Sequence, residues 1–267
     1  MEKFNLNKPN GQQVSCLQEI PQDPKGIVIA IHGFTSSKEC MTVEMLRRRM
    51  PAAGIGVVAI DQPSHGVEAS AREELRISNC IDSLEVTEGY VQETFPGLPI
   101  YYFASSFGAY ITGLYISSRP HLGRRVFFRS AAVNMPSLFI KDEMTETDRR
   151  LMRDLETQGY FNPVLDLYGE TMVSTVKVTK AMMQDLAEND LFEKFDPDRF
   201  GPHLIAMAHG EADTVIDPQE ALRFARKFSI PITVFEAEAH SLSLKPETPD
   251  KVADLAIALY RCEEGKS

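Results

Sequence analysis

The stretch from Ile100 to Tyr110 constrains this chain more than any other. An apolar run, Ile100-Tyr101-Tyr102-Phe103-Ala104, passes directly into Ser105-Ser106-Phe107-Gly108-Ala109-Tyr110. A helical pattern carrying Ile111, Leu114 and Tyr115 begins at once. A buried strand that turns straight into a helix makes a sharp corner, where the residues two before and two after the apex nearly touch and must be small. A serine at the apex is lifted clear of the sheet, and the next backbone N–H points at the same spot. Ser106 has Ala104 and Gly108 at those positions, whereas Ser105 would have Phe103 and Phe107. The spacing predicts Ser106 as a nucleophile. The plainer alternative is a serine that merely caps a helix, and the rest of the chain must decide between them.

The chain of 267 residues suits one α/β domain with an insertion and is long enough to bury a sizeable core. A net charge of −10 argues against nucleic acid, whose binders carry basic patches. No apolar run approaches the roughly 18 residues of a membrane span, and the opening Met1-Glu2-Lys3-Phe4-Asn5-Leu6-Asn7 lacks the apolar core of a secretory signal. Cys16, Cys40, Cys80 and Cys262 are widely spaced and form no C-x-x-C pair. Free thiols in a cytoplasmic protein are the simplest expectation.

Apolar runs alternate with helical stretches, which predicts an α/β fold with a mostly parallel sheet flanked by helices. Expected strands are Val14 to Ile20, Gly26 to Ile31, Gly56 to Ile60, the run before Ser106, Arg125 to Phe128, His203 to Ala208, and Ile232 to Phe235. Helices are expected over Lys38 to Met50, Ile81 to Phe95 and Asp250 to Tyr260. Between Met135 and about Phe200 the pattern turns helical and charged, with no convincing strand. Glu146, Arg149, Arg150 and Asp154 pair at helical spacing as a solvated face, while Met144, Leu151, Met152 and Leu155 need something to cover. We read 1–134 and 200–267 as the core and 135–199 as a helical cap inserted into it.

A serine hydroxyl is a weak nucleophile and needs a base oriented by a third group. In a parallel α/β sheet such groups gather at the carboxyl ends of strands. Of six histidines, His240 follows the Ile232 strand after a short loop and is expected at that edge. His209 starts a tight turn beside Gly210, His32 and His65 sit in other turns, and His121 and His203 flank strands at the wrong end. Three carboxylates follow the His203 strand. Asp217 precedes Pro218 and reads as a helix N-cap, and Glu211 lies within the turn. Asp213, just past the strand end, is the expected partner of His240. Two backbone donors should hold the oxyanion formed at the attacked carbonyl. Phe107 N–H is one, and Phe34 N–H, in the loop His32-Gly33-Phe34-Thr35, is the other.

Taken together, His32-Gly33-Phe34, Asp61-Gln62-Pro63-Ser64-His65-Gly66, Ala104-x-Ser106-x-Gly108, His209-Gly210-x-x-Asp213 and His240 resemble the α/β-hydrolase family. The resemblance implies an eight-stranded sheet, a cap after the sixth strand, and a Ser106-Asp213-His240 triad. It also implies that Asp61 to Gly66 is a structural turn near the site. Two positions depart from the family pattern: Ala104 replaces the usual first glycine of the elbow, and Ser64 stands where many members carry glycine. Ser106-Phe107-Gly108-Ala109-Tyr110 is similar to the elbow of the prolyl-oligopeptidase-like group. The His32 loop and compact cap look more like bacterial carboxylesterases of the cinnamoyl or feruloyl type and monoacylglycerol lipases.

The expected activity is hydrolysis of a small carboxylic ester through an acyl-enzyme, with no cofactor and no metal. The spacing of His203, His209, Glu211 and Asp213 matches no zinc signature, and no glycine-rich phosphate loop is present. A serine peptidase, a non-catalytic small-molecule receptor on the same frame, and a C–C hydrolase or acyltransferase remain open alternatives. The cap aromatics Phe139, Tyr160, Phe161, Tyr168, Phe192 and Phe195 either line a substrate pocket or pack cap on core, and one or two are expected to face substrate.

Overall fold

Three continuous apolar runs have no polar face to give to water and so must be buried on both sides. They become strands β3 (Gly26–Ile31), β4 (Ile55–Ile60) and β5 (Ile100–Ser105), every residue of which is buried. The computed structural model describes residues 1–141, 143–167 and 170–262. Two further strands, β1 (Glu2–Asn7) and β2 (Gln13–Glu19), form an antiparallel lead-in that docks on β4. After β5 come β6 (Gly123–Arg129), β7 (Ile205–Gly210) and β8 (Ile232–Phe235). The eight strands form one sheet in the order β1-β2-β4-β3-β5-β6-β7-β8, parallel from β4 onwards.

Helices cover both faces. The helices α1 (Met41–Arg49), α2 (Ile77–Thr94) and α3 (Phe107–Ser118) precede the insertion. One side of the sheet packs on α2 and α3 through Ile29, Tyr102, Leu84, Tyr110 and Leu114. The other packs on α1 and the last helix through Val28, Phe103, Leu46 and Ala253. Both cores meet at the central strand β5, so the carboxyl end of β5 is held from every direction.

The segment between β6 and β7 is the cap. It holds α4 (Glu146–Gln158) and α5 (Lys180–Glu188), with shorter helical turns before α4 and after α5. It also holds strands that the sequence pattern hides. Tyr160–Phe161 pairs with Val178–Thr179, and Val164–Leu167 pairs with Glu170–Val173. Runs of two to four residues are too short to show a period of two, so the cap is mixed where helix alone is expected. Thr145 and Asp148 close a capping box at the start of α4, and Leu151, Met152 and Leu155 pack inward from it. Arg76 clamps Asp185 on α5 with two bonds of 2.7 Å, and Tyr110 Oη donates to the Asn189 carbonyl at 2.6 Å. These tie the cap to the sheet domain.

Two more helices, α6 (Pro218–Lys227) and α7 (Thr248–Arg261), flank β8 in the chain. Asp217 caps α6 by accepting from Gln219 N–H at 2.9 Å, as its sequence context predicts. Several boundaries move, the helix expected from Ile81 beginning at Ile77. His203 lies in a short helical turn, Pro202–Leu204, ahead of β7, and Lys38 lies outside α1. Among the described residues no helix is long and apolar enough to cross a membrane.

Candidate active site

Ser106 stands between β5 and α3 with φ 51° and ψ −115°. That is a conformation non-glycine residues rarely hold, and it persists only where the surroundings enforce it. Here the Ser106 N–H donates to the Arg129 carbonyl at 2.9 Å, and its own carbonyl accepts from Ala109 and Ala132 at 3.0 and 3.2 Å. The turn is fixed by β6 on one side and α3 on the other. Ser105, the rejected neighbour, is buried, and its Oγ has no hydrogen-bond partner among the described residues.

The loop after β3 comes up against this turn. A Cβ placed on Gly33 would lie 3.1 Å from Ser106 Cβ and 3.7 Å from its Oγ. The Gly33 carbonyl accepts from His32 Nδ1 at 2.7 Å and from Ser36 N–H at 3.3 Å. In a trans peptide the Phe34 N–H points the opposite way from that carbonyl. Among the described residues neither Phe34 N–H nor Phe107 N–H has a protein acceptor. Phe107 opens α3, where the helix dipole adds partial positive charge.

His32 and His65 brace this loop. His32 Nε2 accepts from Gln62 N–H at 3.0 Å, so its proton sits on Nδ1. His65 Nε2 likewise accepts from Thr35 N–H at 2.9 Å, while its Nδ1 faces the Pro63 carbonyl at 2.8 Å. Burial drives both imidazoles toward the neutral form, to about 4 for His32 and about 3 for His65. Beneath them Asp61 pairs with Lys38, Nζ to Oδ2 at 2.7 Å and backbone N–H to Oδ1 at 2.6 Å. Lys38 is drawn out of the helix expected for it by this buried pair.

Asp213 follows β7. Its Oδ1 accepts the Val215 and Ile216 N–H groups at 2.9 and 3.0 Å, which closes the turn on its own side chain. Its Oδ2 meets His240 Nδ1 at 2.7 Å and His209 Nε2 at 3.0 Å. Burial alone would raise the Asp213 carboxyl, but the bonds from His209 and His240 hold it well below the usual carboxylate range. Sequence reasoning expects Asp213 beside His240 and quotes His209 within the motif His209-Gly210-x-x-Asp213 without giving it a role; the structure adds it as a second partner of Oδ2. The spacing His209-x-x-x-Asp213 across a strand end was the available signal.

The His240 loop is held at both ends. Ser130 Oγ donates to the His240 carbonyl at 2.7 Å, and Arg129 donates to the Ser241 carbonyl. Glu238, fully buried, accepts from Leu244 and Lys245 N–H at 3.0 and 2.9 Å.

Ser106 and His240 open on one cleft of about 950 Å³. The wall under the cap is apolar, with Met135, Leu138, Phe139, Leu151, Phe161 and Ile216. The opposite wall, from α1 and the His240 loop, is mixed and includes Thr42, Arg48, Ser241 and Ser243. Of the cap aromatics, Phe139 and Phe161 face the cleft. Phe192 and Phe195 pack on Phe224 of α6, with ring centroids 5.3 and 5.2 Å apart. Tyr160 lies under Lys177, and Tyr168 falls outside the described residues.

The family model described as serine aminopeptidase, S33, matches residues 22–245. The chain belongs to this α/β-hydrolase family. No curated protein matches it in sequence. Solved structures share the fold of this hydrolase from end to end. A protein of Agrobacterium vitis S4 superposes with a TM-score of 0.75 at 19% identity, covering 97% of each chain. Est1E of Butyrivibrio proteoclasticus, solved with ferulic acid bound, gives 0.74 at 13% identity, over 96% of this chain and 99% of that one. The monoacylglycerol lipase of Paleococcus ferrophilus gives 0.67 at 17% identity, over 97% and 98%. At such identities the likeness speaks for the fold.

Proposed function

We propose that this hydrolase cleaves a small carboxylic ester through a serine acyl-enzyme. The observation that carries the reading is the meeting, on one cleft, of a serine held at positive φ and a histidine bonded to a buried carboxylate. Ser106 Oγ attacks the ester carbonyl while His240 Nε2 takes the hydroxyl proton. Asp213 fixes the His240 tautomer and stabilises the imidazolium. The Phe34 and Phe107 N–H groups receive the oxyanion, which supplies a large share of the rate. Collapse breaks the C–O bond, and the His240 proton leaves with the alcohol. Water then attacks the acyl-enzyme by the same route and restores Ser106.

The apolar wall suits an acyl group of aliphatic or aromatic character. Peptide amine capture is the second reading, favoured by the description of the family model. An aminopeptidase needs a carboxylate free to hold the substrate ammonium. Among the described residues the carboxylates on the cleft are already engaged. Glu44 pairs with Arg47 at 2.6 Å, and Asp148 with Lys141 at 2.9 Å and with Thr145. That supports ester over amide.

The test is steady-state hydrolysis of a matched ester and anilide sharing one acyl group, with wild type beside Ser106→Ala. Ester cleavage that falls by about 10⁴ or more in the variant is expected. Comparable anilide cleavage would move the assignment to a peptidase, and near-wild-type turnover by folded Ser106→Ala would overturn it.

A further inference from the structure

The buried histidine beside the candidate acid is the group that the reaction scheme leaves without a task. His209 is the next-to-last residue of β7, in register with Val234 of β8, and its side chain is fully buried. Its Nε2 faces two oxygens, Asp213 Oδ2 at 3.0 Å and the Ile216 carbonyl at 3.1 Å. Both can only accept, so Nε2 carries the proton. Its Nδ1 is buried and has no partner among the described residues. A buried polar atom left unmatched is destabilising. A residue present only to fill space would be apolar there and would avoid that cost.

From this geometry we infer that His209 is a positioning residue of the proposed reaction, fixing Asp213 Oδ2 in direction and sharing its charge with His240. The inference rests on the Ser106-Asp213-His240 reading. Asp213 Oδ1 is already tied to Val215 and Ile216, so with His209 on Oδ2 the carboxylate cannot turn. The remaining direction on Oδ2 is the one His240 uses at 2.7 Å. Because β7 carries His209, this fourth bond comes from a sheet strand and not from a loop. The shared donor also tempers the carboxylate. When His240 accepts the Ser106 proton, an Oδ2 that already receives an N–H binds the imidazolium less strongly, and the proton passes on to the leaving alcohol more readily.

Removing the donor should therefore do two things at once. The His240 imidazole loses its fixed orientation, and Asp213 holds the imidazolium more tightly. His209→Phe keeps a ring and removes the N–H. It is expected to lower ester kcat/KM about five- to thirty-fold, which converts to about 1–2 kcal/mol of lost hydrogen bonding. It should also move the acid limb of the pH profile upward by roughly half a pH unit or more. His209→Gln, whose amide keeps a donor near the Nε2 position, is expected to stay within about three-fold of wild type with its limb in place. Apart from Asp213 itself, the ionisable groups about the His240 loop, Glu211, Glu238, Arg129 and Lys245, are untouched by either change.

Activity lost equally in His209→Phe and His209→Gln, with the limb unmoved, would reduce His209 to a packing residue and overturn the inference. If His209→Phe does not fold, His209→Asn replaces it, since its shorter amide sits near Nδ1 and cannot reach Asp213. The same profiles are read against Ser106→Ala. Undiminished turnover in that control sinks the triad reading itself, whereas a dead control with normal His209 variants sinks only the inference.

Discussion

Gly108 is pressed directly beneath the end of β3: a Cβ on Gly108 would lie 2.5 Å from the Ile31 carbonyl oxygen and 2.6 Å from that of His32. No real Cβ approaches backbone oxygen so closely, so the turn at Ser106 and the chain leaving β3 touch through bare backbone. Gly108→Ala should force the two apart and cost about 3 kcal/mol or more, at the upper end of overpacking. Urea denaturation measures the loss. A variant of wild-type stability and turnover would show that the contact is looser than the geometry states.

Lys38 and Asp61 form a buried pair, with side chains 2% and 0% exposed. Removing one partner leaves an uncompensated charge, so Lys38→Met is expected to cost about 3–5 kcal/mol. Lys38→Met with Asp61→Leu removes both charges and should recover part of that. The comparison is a double-mutant cycle by chemical denaturation. A double variant less stable than Lys38→Met would count against desolvation as the cause.

His32 and His65 are buried neutral, their pKa values pushed down to about 4 and about 3 from an ordinary 6.5. The sign follows from proton uptake. Between pH 6.5 and about 4 the unfolded chain protonates both imidazoles and the folded chain protonates neither, so acid favours unfolding. Their stabilising contribution is complete above pH 6.5 and is lost as pH falls toward 4 and then 3. Each should add up to about 1.4 kcal/mol of lost stability per pH unit in that window. Urea midpoints at pH 7, 6 and 5 measure the slope, and His65→Phe should reduce it by one proton.

Phe139 faces the cleft and touches both Phe34 and Phe161, with ring centroids 6.0 and 6.1 Å apart. Shortening it should remove contact with a bulky acyl group and spare a small one. Phe139→Ala is expected to lower kcat/KM about ten-fold or more for an aryl or long-chain ester and to leave an acetate ester within a few-fold. Equal losses on both substrates would place Phe139 in the packing of the cap and not in selection.

Much of the frame was legible because its signals are local. The double-sided burial of β3, β4 and β5 shows as unbroken apolar runs, and the elbow shows as small residues two on either side of Ser106. Asp217 beside Pro218 announced a helix start that the structure holds. Signals failed where pairing partners lie far apart. Helical spacing over Lys38 to Met50 suggested a helix from Lys38, but Asp61, 23 residues away, takes Lys38 for a buried pair and α1 begins at Met41. The cap strands are too short for a period to emerge. The aromatics of the cap look alike in sequence, yet Phe192 and Phe195 serve α6 while Phe139 and Phe161 serve the cleft.

The sequence by itself determined which residues could stand at the carboxyl edge of the sheet, because strand, turn and small-residue spacing are set by neighbouring side chains. Only the tertiary structure decided what meets what there. Asp213 Oδ2 draws His240 from 27 residues away and His209 from four, and its direction depends on where β7, β8 and the His240 loop come to rest. A bond of 2.7 Å between distant residues is a product of packing, and no local pattern carries it.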